Sequence, residues 1–479
     1  MPTFTPCRMN VSTVAQRTLA AALVAVALSA CAPWSESISE SVSGAQTLVP
    51  DGWQHAESTL ADNGELAQWW GQFGDPVLTE LIEQALVSNN TIAAAEGRLR
   101  SARAAYSAAQ GARLPSVGAS GRASRQESVA GPDLEIENYS LGVDVAWEAD
   151  IFGKLRGSAA AAAATVQGSE VSLYDIQRLI TSDIALSYIT VRDAQARLAI
   201  ARDNLATQAE NLQIVQWRNE AGLGSQLEVE QARATAAQTR AGIPPLEESI
   251  ASAINQIDVL LGVAPGSSAQ RLGIVAPVPA PPPIAGLGLP AELLVRRPDV
   301  LAAQHTLESE IIRIGVARAD LYPALRLTGS IDTSSDSLGD LFETSVASLI
   351  GNITAPIFQG GQIRARIEQQ KGSADTALAN YRGTILVALQ DVENALLSAA
   401  AARQREAALG DAEAAALQSL QLAEIRYRSG DIDFQTLLDV QRSLLSIQDS
   451  RASASAARST AAVQLFKALG GGWNTAALP

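Results

Sequence analysis

The chain reads itself twice at one fixed offset. Leu114-Pro115 returns as Tyr322-Pro323, Arg218-x-x-x-Gly222 as Arg426-x-x-x-Gly430, and Leu261-Gly262 as Leu469-Gly470; each pair is 208 residues apart (323 − 115, 430 − 222, 470 − 262). One offset held by three kinds of local motif marks an internal duplication, which has to be settled before any fold is assigned. Two similar units are therefore expected, at 66–275 and 291–479. They are joined at 276–290 by an extended linker that carries six prolines.

Each unit changes period in the same order. Leu78, Leu81, Ile82, Ala85 and Leu86, then Ala94, Ala95, Leu99, Ala102 and Tyr106, recur at helical spacing. They predict one helix from the Trp69-Trp70-x-x-Phe73-x-Asp75-Pro76 start to Leu114-Pro115, since the residue before a proline leaves the helical region. Beyond Pro115 the period becomes two: Leu141, Val143, Val145 and Trp147 alternate with Gly142, Asp144, Ala146 and Glu148. The partner strand, Val117 to Ala123, is weaker, with a loop expected from Ser124 to Asp133. In the second copy Leu325, Leu327, Gly329 and Ile331 alternate with polar residues, and Leu349, Gly351, Ile353 and Ala355 form a second row. Hairpins are thus expected at about 115–150 and 323–358. Their strands, about ten residues long, suit a tilted bilayer crossing. A soluble hairpin is the alternative.

Both hairpins run into glycine-containing junctions, Asp150-Ile-Phe152-Gly153-Lys154-Leu155-Arg156 and Pro356-Ile357-Phe358-Gln359-Gly360-Gly361. Long helices follow. Ile180, Ile184, Ser187, Val191, Ala194, Leu198, Ala201, Leu205, Gln208, Leu212 and Val215 keep a four–three rhythm, as do Leu378, Tyr381, Ile385, Ala388, Val392, Ala395, Ala399 and Ala402. That rhythm is a coiled-coil seam. Each long helix reverses at Arg-x-x-x-Gly: Arg218 to Gly222, and Arg426 to Gly430. The glycines suit a left-handed position after the last turn. Ser225 and Asp433 suit the N-cap of the returning helix.

The N-terminus reads as an export signal. Arg8 and Arg17 precede a short apolar stretch from Thr18 to Ala30, so residues 1–30 read as a signal peptide. Leu28-Ser29-Ala30-Cys31 resembles the lipobox of bacterial lipoproteins, with Cys31 as acceptor of a covalent lipid and Ala32 favouring the outer membrane; an ordinary signal with an incidental Cys is the alternative. Residues 31–65 read as an extended tether. Cys7 leaves with the signal, so no internal disulfide forms. No further segment holds 18 consecutive apolar residues, so a spanning helix is not expected and any crossing is by a closed barrel. Four strands cannot close a barrel alone. Several chains must share one, and the fold is an α+β membrane protein in which a β-barrel continues into a helical tube.

Other functions fit poorly. A net charge of −15 argues against nucleic acid. The two histidines, His55 and His305, lack metal-ligand spacing, Gly286-Leu-Gly288 runs into Pro290, and no nucleophile motif is present, so neither catalysis nor a cofactor is expected. A structural coiled-coil lipoprotein spanning the periplasm would explain Cys31 and the heptads, but not the period-two hairpins.

The sequence resembles the TolC-like outer-membrane factors, and more closely their NodT/OprM-like lipoprotein branch serving resistance–nodulation–division efflux systems. The resemblance is carried by Leu289-Pro290-Ala-Glu-Leu293-Leu294-Val-Arg296-Arg297-Pro298-Asp299-Val300-x-Ala302-Ala303, by Ile314-Gly315-x-Ala317-Arg318-Ala319-x-Leu-Tyr322-Pro323, by the Trp69-Trp70 start and by the Asp150 to Arg156 junction. It covers essentially the whole chain after Cys31. It implies a homotrimer with a twelve-stranded barrel in outer-membrane lipid and a periplasmic α-barrel. The partners it implies are a periplasmic adaptor protein and an inner-membrane efflux pump; a channel for protein export is the alternative. It also implies a gate at the periplasmic end, with Asp439 as the constricting acid and Arg426 and Tyr427 in the closing contacts. Three symmetry-related carboxylates ~6 Å apart repel by roughly 1–3 kcal/mol per pair. A second acid that the family can carry one turn earlier is Thr436 here. The turns with Arg218, Gly222, Ser225, Gly430 and Asp433 are expected to meet the adaptor.

Overall fold

The structure, a computed structural model, describes residues 38–39, 41–44, 48–54, 66–129, 135–282 and 296–473. The signal peptide, Cys31, much of the tether, the Gly131-Pro132 loop tip and the end of the Pro-rich linker lie outside the described residues. The first repeat comprises a 3-10 turn (Trp69–Phe73), α1 (Pro76–Ser88), α2 (Asn90–Gly111), β1 (Ser116–Glu127), β2 (Glu135–Ala149), α3 (Lys154–Glu220), α4 (Gln226–Ala241), α5 (Ile243–Leu260) and a short α6 (Ala269–Leu272). The second comprises α7 (Pro298–Ala319), β3 (Ala324–Ser335), β4 (Ser345–Thr354), α8 (Gln362–Ser429) and α9 (Phe434–Ala468). The chain divides into two compact units. One holds 99–169 and 302–382 with the described part of 1–46; the other holds the described parts of 47–98, 170–301 and 383–479.

In the first unit the strands form one antiparallel sheet in the order β1-β2-β3-β4. Their lengths are 12, 15, 12 and 10 residues. β1 is longer than its sequence alone suggests. Ser124 to Glu127 were expected in the loop, yet they pair with Asn138 to Glu135, and Arg125 makes ion pairs with Glu135 and Glu137. The register sorts most of the side chains by polarity. Val117, Ala119 and Gly121 lie opposite Val145, Val143 and Leu141; these lie opposite Gly329, Ile331 and Thr333; Gly329 and Leu325 lie opposite Leu349 and Ile353. Opposed residues share a face, so this face is mainly apolar from Val117 to Ala123 and from Leu141 to Trp147, and becomes charged only at the loop end of β1 and β2, where it carries Arg125, Glu127, Glu135 and Glu137. The other face carries Ser120, Arg122, Asp144, Glu148, Arg326, Ser330, Asp332 and Asn352. Val117, Ile331, Leu349 and Ile353 are exposed on the apolar face, which is the inverse of a water-soluble surface.

The junctions differ between copies. Asp150 accepts from the amides of Leu155 (3.0 Å) and Arg156 (2.8 Å), satisfying free N–H groups at the start of α3. Phe152 stacks on Tyr322 with ring centroids 4.7 Å apart. Lys154 and Arg366 clasp Asp320 at 2.7 and 3.0 Å. The second junction has no such acid, and its Ile357 and Phe358 are 98% and 86% exposed.

In the second unit the seam of α3 is buried at Ile180, Ile184, Val191, Ala194, Leu198, Gln208 and Val215. On α8, which runs through both units, the seam is buried at Tyr381 in the first and at Ile385, Ala388, Val392 and Ala395 in the second. α8 also qualifies by length and composition as a helix able to cross a membrane, although it contains no unbroken run of 18 apolar residues. Five of its seam residues are buried within the protein, while Leu386, Val387 and Leu397 are exposed; Ala388 O and Asp391 receive the Arg297 guanidinium at 3.4 and 3.1 Å.

Three expectations need correction. The single helix expected from Asp75 to Leu114 is broken at Asn89, whose side chain accepts from Thr91 N and Ile92 N, capping α2, and donates to Leu260 O at 2.7 Å. The first returning helix is broken at Gly242, because Pro244 and Pro245 at the start of α5 supply no N–H to continue it. The tether expected to be extended is helical at 38–39 and 41–44, and Gln54 N donates to Glu393 at 2.8 Å.

The repeat extends to the hydrogen bonds. Asn89 reaches Leu260 O, and 208 residues on Arg297 reaches Ala468 O at 3.2 Å. Gly262 (φ +70°) sits against Ser88 O and Gly470 (φ +75°) against Arg296 O, so a Cβ at either would crowd a carbonyl. Arg297, only 3% exposed, also binds Asp299 and Asp391. Burial disfavours the Asp299 charge, but the Arg297 and Arg178 guanidiniums outweigh it and hold that carboxyl below its usual range. The first repeat holds a different buried polar chain, in which Tyr188 donates to Asp75 (2.7 Å) and Arg192 donates to Tyr188 (3.0 Å) and Ile274 O (2.6 Å). Burial and Asp75 push the Tyr188 phenol up to about 12.

Candidate gate and docking turns

The two helix reversals lie in the second unit and are built alike. Gly222 and Gly430 have φ +70° and +80°, where a side chain is strained. Leu223 N donates back to Arg218 O and Asp431 N to Arg426 O, each at 2.8 Å. This bond, together with Gly222 N to Asn219 O and Gly430 N to Tyr427 O, closes the free carbonyls of α3 and α8 in a Schellman-type turn. Ser225 then starts α4 in a reciprocal capping box with Glu228. Asp433 starts α9 by accepting from Thr436 N (2.8 Å) and Thr436 Oγ1 (2.6 Å). Those two bonds hold the Asp433 carboxyl below its usual range. Thr436 is thus committed to the cap.

Behind the turns lies a small apolar core of Val215, Val229, Ala232, Ala423, Phe434, Leu437 and Leu438, with Tyr427 packed on its edge. Phe434 is tilted against the Tyr427 ring at 5.7 Å. On its other side Tyr427 meets Arg218, which donates from Nη1 to its Oη at 2.8 Å and lies 5.2 Å from its ring centroid. Burial, and more weakly Glu228, push the phenol above its ordinary value against the pull of Arg218. Tyr427 is therefore a neutral acceptor for a charged donor, and it ties α8 of the second repeat to α3 of the first.

The named residues do not all converge. Arg426 is exposed, and its carbonyl closes its own turn. Asp439 stands one turn into α9 with its side chain 59% exposed; it accepts from Gln435 (3.1 Å) and faces Arg442 at 3.5 Å. Arg442 in turn reaches Thr235 on α4 at 2.5 Å. Arg218, expected only as a turn residue, is the partner of Tyr427. Arg442, Gln435 and Thr235 were not anticipated. Arg442 was legible in principle, as a cation one helical turn from Asp439.

Known proteins resemble this chain in sequence and fold. The family model described as outer membrane efflux protein matches twice, over 81–263 and 289–471, and the two matches are themselves displaced by 208 residues (289 − 81). The pyoverdine export outer membrane protein OpmQ of Pseudomonas aeruginosa is 32% identical over 441 residues, covering 89% of this chain and 92% of OpmQ. The toluene efflux pump outer membrane protein TtgC of Pseudomonas putida is 33% identical over 88% of this chain and 89% of its own. Among solved structures, the outer-membrane channel OprN superposes with a TM-score of 0.80 at 33% identity, covering 89% of this chain and 99% of OprN. The chain belongs to the outer membrane efflux protein family and is an outer-membrane channel of an efflux system.

Proposed function

We propose that three copies of the chain close one twelve-stranded barrel and pass small molecules outward from an inner-membrane pump and a periplasmic adaptor, without catalysis or bound cofactor. The observation that carries this is the sheet. One face is apolar and exposed, the other polar, and both edge strands are long. Unpaired strand edges are not tolerated in lipid, so β1 and β4 require partners from further copies. Closure puts the polar face round a water-filled pore. Relatives named for cargoes as unlike as pyoverdine and toluene support a wall that does not select. Cys31 would carry the lipid that anchors the mature N-terminus; stable anchoring takes two or more acyl chains.

In this reading the turns at Gly222 and Gly430 meet the adaptor, and the helical end behind them is the gate. The Arg218–Tyr427 contact and the core behind it hold it shut, and Asp439 supplies a negative ring that favours cations. Detergent-purified protein is expected to run as a heat-labile trimer in SDS and to give cation-selective current steps in planar bilayers. A monomer without conductance would refute the shared pore.

A further inference from the structure

Two cavities in the first unit are images of each other under the repeat, and among the described residues only one is entered by the other repeat. The first, about 800 Å³, is lined among others by Gly111, Leu114, Trp147 and Glu148. A shift of 208 residues carries those four onto Ala319, Tyr322, Ala355 and Pro356, all of which line the second cavity, of about 330 Å³. The second is smaller because the other repeat enters it: Phe152 and Lys154, from the first junction, form part of its wall, with Phe152 stacked on Tyr322. Among the described residues the first cavity has no such guest, since those lining it all belong to the first repeat. By the Ile-Phe pair common to both junctions, where the offset is 206 because of a two-residue difference in length (358 − 152), the group that matches Phe152 is Phe358, which is 86% exposed beside the 98% exposed Ile357.

Within one chain these parts lie at opposite edges of the sheet. Leu114 leads into β1 and Phe358 follows β4, the two edge strands. Because β1 and β4 are antiparallel, the start of β1 and the end of β4 lie at the same rim. In the shared barrel proposed above, on which this inference rests, β4 of one copy adjoins β1 of the next. Knob and cavity then meet on one seam, continuous with the strand pairing. We infer that Ile357 and Phe358 of one protomer seat in the cavity between α2 and α3 of a second copy of this chain, against Tyr106, Leu114 and Trp147. The repeat also sets the strand register of that seam. Leu141↔Thr333 within the chain becomes Leu349 against Arg125 of the next copy, and Val145↔Gly329 becomes Ile353 against Gly121. The contact joins the copies below the strands, where pairing of β4 ends at Thr354.

The test uses the full-length protein in outer membranes carrying the double variant Phe358→Cys with Leu114→Cys, treated with a short bis-maleimide. Phe152→Cys with Leu114→Cys serves as control. Covalent dimers and trimers from the first pair, and none from the control, are expected. If the wild type gives the heat-labile trimer band while the first pair gives no crosslink, or only a crosslink within one chain, the seat is overturned and the shared barrel stands. If no trimer band forms, the barrel reading fails and takes the seat with it. Phe358→Ala is expected to lower the temperature at which the trimer band disappears, with Phe358→Tyr restoring it. An unchanged temperature in Phe358→Ala would also overturn the seat.

Discussion

Tyr427→Phe removes one oxygen from the contact between the two repeats and little else. The ring stays against Phe434, and the Arg218 guanidinium stays 5.2 Å from the ring centroid. What is lost is the 2.8 Å hydrogen bond from Arg218 Nη1. A hydrogen bond to a charged group contributes ~1.5–3 kcal/mol when buried. Tyr427 is only half-buried and water can replace part of the interaction, so about 1 kcal/mol is expected here. That corresponds to a roughly five-fold rise in the open-to-closed ratio if the bond exists only in the closed form. Arg218→Met removes the cation–π contact as well, about a further 0.5–1 kcal/mol. Open probability in planar bilayers, measured for both single variants and the double, gives the coupling directly. If the double variant equals the sum of the singles, or if Tyr427→Phe leaves open probability unchanged, Arg218 and Tyr427 are not a latch. The phenol lies above its ordinary value, so it stays protonated and closing should not vary with pH through neutrality. The contribution weakens only as pH rises past the unfolded phenol's value towards the folded one.

Asp439→Ala is expected to raise closed-state conductance and reduce cation preference; reversal-potential measurements in a salt gradient check both. Asp433→Ala should speed amide exchange at Phe434 to Leu437, whereas Asp433→Asn should not, because Asn still caps. With its folded value depressed, the Asp433 contribution is complete above the ordinary carboxylate range and is lost as pH falls through the folded value, so exchange in the wild type should rise only in strong acid. Arg297→Leu strands Asp299, Asp391 and the Ala468 carbonyl and is expected to cost ~3–5 kcal/mol, read as a lower melting temperature of the trimer; Arg297→Lys, lacking the fork, should fall between. Cys31→Ser should abolish palmitate labelling while leaving trimer formation in detergent intact.

The strands were legible because period two survives whatever packs on it. The alternation through Leu141 to Trp147 and Leu325 to Ile331 marked the face that turned out apolar. The breaks were less legible. Asn89 interrupts a helix without Pro or Gly, and its reason, a carbonyl at Leu260, is 171 residues away. Pro244-Pro245 was visible but is absent from the second copy, so the repeat argued against it. At the turns, local chemistry identified Gly222, Gly430, Ser225 and Asp433, since caps and reversals depend on neighbours in sequence. Pairing did not follow, because Arg218 finds Tyr427 through tertiary packing that no local spacing encodes. The Arg296-Arg297-Pro298-Asp299 signature was recognised as a pattern; only the fold shows it as a buried staple between helix ends.

The break at Gly242 has a mechanical consequence. α9 is one unbroken rod of 35 residues, about 52 Å long, whereas its counterpart is split into lengths of 16 and 18 residues at a point with no hydrogen bond across Pro244 and Pro245. A rod carries an axial push from end to end; a jointed strut folds at its joint. A load applied at the Gly430 turn therefore travels along α9 to Arg297 at its far end. The same load at the Gly222 turn is absorbed at Gly242. The two copies are matched in length but not in continuity, and the unbroken one is expected to be the stiffer lever.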